Sequence, residues 1–326
     1  MKSHFAFIFL VLVILAVKAC AQGEGSGPLS PPAATESQPT AQQSAGNSQE
    51  ASGVAPSSTP STQSPSTNPA STAPAFDAQW NEILANVLDK RGPAKAIALM
   101  TSLDGYLPDR LVRSFLDYHR ELCFYMETAA LADQDEPVLP ETAAKALGLT
   151  MEEYRANCYD FWTSEAYLYF TPDLPSLYQD LSGQLSQESA AYFQLLLEYP
   201  PTALVADAFL QVSWGKLADF VANYYIYLSA WPYGVHSDEV MSHFAWAYQI
   251  YIGAIRLDNS PFDAGGNLDA SLRQSYEDFL EAYGESFPPA EDIRLLYQMW
   301  THKNGKADSE IYALIHMLAE QYPFIT

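Results

Sequence analysis

Between Pro200 and Pro232 the chain is charged at only three positions, Asp207, Lys216 and Asp219, and that near-neutral run limits the folds open to the rest. Leu204, Phe209, Trp214, Leu217, Phe220, Tyr224, Tyr225 and Leu228 fall on every side of a helical wheel. A helix apolar all round has to be covered on more than one side. Read as one helix between two aromatic-Pro stops, the segment would run about 45 Å at 1.5 Å per residue. It is therefore expected to be the spine of a helical domain.

The pattern around those stops recurs. Tyr192, Leu195, Leu196, Tyr199 and Pro200 are matched by Tyr224, Tyr227, Leu228, Trp231 and Pro232. A third copy is Tyr276, Phe279, Leu280, Tyr283 and Gly284, and a frayed fourth is Ile315, Leu318, Tyr322 and Pro323. The spacing keeps the apolar positions on one helical face, and Pro or Gly then stops the helix. The stretch Leu195 to Ala208, LLLEYPPTALVADA, resembles the helix-end signature of tetratricopeptide-like repeats in bacterial envelope proteins. The resemblance covers roughly residues 187–326 and implies stacked helical hairpins serving as a protein-binding scaffold. Ordinary amphipathic helices ending at Pro satisfy the same spacing.

Periodicity is helical through most of residues 76–326. Trp80, Ile83, Leu84, Val87 and Leu88 share one face of Phe76–Lys90, and Leu111, Val112, Phe115, Tyr118, Leu122 and Tyr125 share one of Asp109–Ala132. Thr150 and Glu153 form a capping box opening a helix expected to reach Phe170. Further helices are predicted over Ser186–Tyr199, Ser237–Leu257, Leu268–Tyr283, Pro288–His302 and Asp308–Tyr322. No run of alternating β-branched residues stands out. The fold class is all-α, with antiparallel helical hairpins stacked as a bundle or short α-solenoid.

Before that domain the composition changes. Residues 1–20 read as a signal peptide: Lys2 is the positive start and Phe5 to Val17 an apolar core too short to span a membrane. Val17-Lys18-Ala19-Cys20 resembles the bacterial lipobox, which implies lipidation of Cys20, although Lys18 departs from that pattern. Ala19-Cys20-Ala21 equally permits cleavage before Gln22. Residues 21–75 are rich in Ser, Thr, Pro, Ala and Gln and hold no aromatic, so they lack the apolar surface to offset ordering entropy. A disordered linker after a lipidatable Cys suits an exported, membrane-anchored surface protein. A secreted protein with a stalk is the alternative.

Charge narrows the partners. Residues 76–326 contain 36 acidic and 14 basic side chains, a net of −22 with His neutral. Such a surface repels phosphate backbones and anionic bilayers, so nucleic acid is excluded and the membrane is reached through a lipid anchor only. Cys123 and Cys158 lie on the apolar faces of two predicted helices and are a candidate disulfide. No cofactor fingerprint is present.

His236, Glu239 and His243 fall on one helical face and are weak metal candidates, since His-Glu-x-x-His is absent. The acidic loop from Asp258 to Asp269 fails the EF-hand pattern at Phe262 and Asp263. Tyr159, Tyr167 and Phe170 fall off the core stripe of the helix expected from Met151 to Phe170 and form a candidate ligand surface. With no nucleophile elbow and no phosphate loop, the expectation is a non-enzymatic protein that binds an envelope or host protein. The alternative is a receptor for a glycan or small ligand using exposed aromatics.

Substitution Cys20→Ser, or globomycin treatment, is expected to leave an unprocessed precursor, read by intact mass. A mature species beginning at Gln22 without lipid would overturn the anchor.

Overall fold

The computed structural model describes residues 73–126, 138–164, 167–206, 208–255, 257, 261–262, 266–284 and 286–323. The signal segment, Cys20 and the linker up to residue 72 lie outside the described residues. The rest is an all-α domain with two short hairpins.

Its first half runs α1 (Ala73–Ala85), α2 (Gly92–Thr101), α3 (Asp109–Tyr125), α4 (Pro140–Leu147) and α5 (Met151–Ala156). Strands β1 (Tyr159–Ser164) and β2 (Tyr167–Pro172) follow, then α6 (Leu174–Leu181) and α7 (Gln187–Glu198). Helix α3 organises this half, packing on β2, α2 and α7. It buries Val112, Phe115, Leu116, Tyr118, Leu122 and Cys123 along one face.

The helix expected to continue to Phe170 stops at Ala156. Its start is as predicted: the Thr150 side chain accepts from Glu153 N while Glu153 reaches back to Thr150 N. At the other end the Asn157 side-chain amide donates to Glu153 O, and Asn157 Oδ1 accepts from Ala94 N at 2.9 Å. Cys158 then turns into the left-handed region at φ 50°, a common way to end a helix. Beyond it the chain alternates, and β1 pairs antiparallel with β2 from Tyr159 opposite Pro172 to Ser164 opposite Tyr167. Aromatic residues suit a pleated, half-buried surface, and here that preference prevails over the helical stripe.

The second half departs from the sequence reading at the spine. Pro200–Pro232 is not one helix. Pro201–Ala203 is a 3₁₀ turn, and β3 (Val205–Ala206) and β4 (Phe209–Leu210) form a small hairpin. Only then does α8 (Trp214–Ala230) begin, with the Ser213 hydroxyl capping Lys216 N. Its 17 residues span about 26 Å. The central role survives the shortening: α7, α9 (Ser237–Tyr251), α10 (Ala270–Tyr283) and α11 (Pro288–His302) all pack on α8. The last helix, α12 (Ser309–Gln321), packs on α9 and α11. Trp214 sits at the first turn of α8 and is half-buried, not at the middle of a buried spine.

The recurrent sequence pattern falls on helix ends of one geometry. Tyr199, Trp231 and Tyr322 cap α7, α8 and α12 with φ between −130° and −125° and ψ between 63° and 75°. Helix α10 ends instead at Gly284, at φ 64°. Two of the recurrent tyrosines hold the end of an earlier helix: Tyr224 Oη donates to Tyr199 O at 2.6 Å, and Tyr276 Oη donates to Tyr251 O at 2.8 Å. Both tyrosines are fully buried, and each donates to one of the carbonyls that a helix C terminus leaves unsatisfied.

Trp300 of α11 is 2% exposed, so Trp300→Ala is expected to cost about 3–5 kcal/mol of unfolding free energy. Trp214→Ala, which is half-buried, should cost clearly less in the same denaturant titration. Equal losses would contradict this packing.

Candidate functional site

A cluster of partly buried charge lies where α3, α7 and α9 meet. Arg120 of α3 pairs with Glu239 of α9 at 2.8 Å and donates to Tyr192 Oη of α7 at 2.9 Å. Tyr192 is fully buried and its hydroxyl also meets Glu239. The His236 ring stacks on Tyr192 at 3.9 Å, tilted by 9°. One turn of chain away, Glu188 accepts from His236 N, and Arg113 donates to Val235 O.

This cluster fixes the protonation of its members. Burial alone would raise the Glu239 carboxyl, but the Arg120 guanidinium and His243 hold it at about 2. Burial pushes His236 down to about 4, against the pull of Glu239. His243 is lowered as well, again by burial. The imidazoles are therefore neutral near pH 7 and Glu239 is ionised.

Ser189, His236 and Asp109 also meet, and the geometry is not that of an activated nucleophile. Ser189 Oγ lies 3.5 Å from His236 Nε2 but donates its proton to Asp109 Oδ1 at 2.6 Å. In a catalytic triad the acid orients the imidazole and the imidazole accepts from the serine. Here the acid takes the serine proton, and His236 Nδ1 is buried without a hydrogen-bond partner. Ser189 and His236 are both at 0% exposure, so no substrate reaches them.

His236, Glu239 and His243 do come together on one side of α9, but Arg120 occupies the carboxylate. Among the described residues no three His, Cys, Asp or Glu side chains are grouped to hold a metal ion. Cys123 and Cys158 are both buried and free, so the candidate bridge is not formed. Instead Cys158 Sγ faces Asp180 at 3.8 Å. Asp269, from the acidic loop, caps α10 by accepting from Ser271 N and Leu272 N. Residues 258–260 and 263–265 of that loop lie outside the described residues.

The candidate ligand surface is corrected by the hairpin. Tyr159 is 3% exposed, its hydroxyl donating to Lys90 O at 2.8 Å, and Phe170 is 6% exposed. Pleating explains this: Tyr159, Phe161, Phe170 and Pro172 point to the inner side, against α3. The Tyr167 side chain lies outside the described residues; its backbone pairs with Ser164. Trp162, on the other side of the pleat, is 54% exposed. It stacks on its cross-strand partner Tyr169, centroids 4.3 Å apart and planes 15° from parallel. The period-two pattern of Tyr159, Phe161 and Asp160, Trp162 was the signal for this swap.

Elsewhere a hollow of about 280 Å³ is lined by Gln79, Glu82, Asp89 and Lys95, with Asp89 and Lys95 joined at 2.7 Å. No helix of the described residues is long and apolar enough to cross a membrane. No protein-family model, curated protein or solved structure matches the chain.

The depressed imidazoles set a pH dependence. An imidazole whose folded pKa lies below its ordinary 6.5 favours folding above that value and disfavours it below. Stability is thus expected to hold above about pH 6.5, to fall as His236 approaches about 4, and to fall again from 4.5 toward 2 as Glu239 protonates. Urea midpoints at neutral and acid pH test this. Glu239→Gln should lower stability at pH 7 by about 3 kcal/mol, because Arg120 keeps its charge and loses its partner. It should also abolish the lower of the two acid steps.

Proposed function

We propose that this protein is an exported, lipid-anchored, non-enzymatic binding protein whose folded domain meets a protein partner. The observation that carries this is the exposed Trp162, stacked on Tyr169 on the outer side of the β1–β2 hairpin. A rigid aromatic held at the surface by a cross-strand partner suits an interface anchor, since such residues dominate binding energy. The sequestered Ser189 and His236 support a binding role over a hydrolytic one. The recurrent helix ends support a scaffold of stacked hairpins, and the lipobox-like Ala19-Cys20 supports the anchor.

A glycan receptor is the second reading. It is favoured by Asp160 and Thr171, polar residues on the same side of the hairpin as the indole.

Partners recovered by crosslinking the full-length protein in source membranes should be lost with Trp162→Ala, about 30-fold for a hot spot of about 2 kcal/mol. Ser189→Ala should retain them. Undiminished recovery with Trp162→Ala would remove the hairpin from the binding surface.

A further inference from the structure

We infer that the outer face of the β1–β2 hairpin takes a cationic polypeptide segment, with an arginine or lysine side chain against the Trp162 indole and Asp160 as its counter-ion. The inference rests on the binding reading above and names the chemistry of the partner.

Register and pleat bring the groups together. In β1 Asp160 and Trp162 are two residues apart and share a side; Tyr169 and Thr171 are their partners in β2. Asp160 and Trp162 are exposed, while Tyr169 and Thr171 are half-buried. Tyr169 stacks on the indole, and Trp162 remains 54% exposed. An indole face is the best aromatic partner for a cation, and arginine adds planar stacking.

Charge favours the same guest. Asp160, Asp173 and Asp180 gather at the base of the hairpin. Asp160 and Asp173 both act on the Tyr154 hydroxyl, which burial already raises, and Asp173 and Asp180 both act on the Cys158 thiol. Asp180 lies 3.8 Å from that thiol. Among the described residues none of the three carboxylates has a Lys, Arg or His nitrogen within salt-bridge distance. Charges are screened only beyond about 8 Å at physiological salt, and residues 76–326 add a net of −22. An anionic segment would be repelled. An uncharged apolar one would desolvate Asp160 without a partner.

The test uses the ¹⁵N-labelled full chain and three nine-residue peptides rich in Arg, Glu or Ser. The Arg peptide should shift the Trp162 indole N–H, assigned by its loss in Trp162→Phe, and the Glu and Ser peptides should not. Trp162→Ala should weaken the Arg peptide about 10-fold and Trp162→Phe about 3-fold, in line with a cation–π contact. Asp160→Asn should weaken it about 3-fold, while Glu281→Gln, the same charge change at an exposed site on α10, should change it less than about 1.5-fold. Circular dichroism checks that each variant folds. Equal effects of Asp160→Asn and Glu281→Gln, with Trp162→Ala at wild-type affinity, would reduce the attraction to general acidity and overturn the inference. A glycan that moves the Trp162 resonance where the Arg peptide does not would overturn the cationic guest and leave the binding reading standing. If the crosslinked partner is insensitive to Trp162→Ala, that reading falls too.

Discussion

The Arg120–Glu239 pair is the interaction on which the rest of the domain depends. It joins α3, the organising helix of the first half, to α9 of the second, with Tyr192 of α7 between them. Both side chains are about four-fifths removed from water, at 22% and 17% exposure. For a pair so placed desolvation offsets much of the attraction, yet removing one member is costly because the other remains charged. Its effect is one of specificity. Only one register of α9 against α3 puts Glu239 on Arg120 while stacking His236 on Tyr192.

Around that pair the domain solves a second problem, the unsatisfied carbonyls of many helix ends buried among aromatics. Tyrosine supplies a large apolar ring and a donor on the same side chain. Tyr224 and Tyr276 use both: the rings are fully buried and the hydroxyls close the ends of α7 and α9. In each case the tyrosine lies 25 residues beyond the carbonyl it caps, so the ties are tertiary contacts. This is a physical reason for so many tyrosines in a chain with few charges to spare.

What was legible in the sequence follows from range. The helical class, the capping box at Thr150 and the stops at Pro200, Pro232 and Gly284 depend on neighbours within one turn, and the structure agrees at each. The hairpin after Cys158 was overlooked because its period-two pattern is only a few residues long and its closely spaced aromatics also satisfy a helical stripe. The helix end before it is tied by Asn157 to Ala94, far away in the chain, a contact that no local pattern announces. The break of the spine at residues 205–210 was hidden for a similar reason: apolar residues all round a wheel carry no phase. At the candidate site His236, Glu239 and His243 could be placed on one face, but their governing partner Arg120 could not, since nothing local links it to them.

The same contrast between buried and displayed chemistry bears on function. The residue types that perform acid–base work are here engaged in structure: Ser189 and His236 are buried at 0% exposure, and Glu239 is taken by Arg120. The indole of Trp162 is held just as firmly, by Tyr169 and the hairpin register, but is left open. Ordering an exposed aromatic removes in advance the conformational entropy that a partner's docking would otherwise have to remove. A flexible surface side chain would not do so. The hairpin thus differs from the other exposed apolar residues: it combines a fixed aromatic, a carboxylate on the same side and a surrounding negative field, and the proposed choice of a cationic partner rests on that combination.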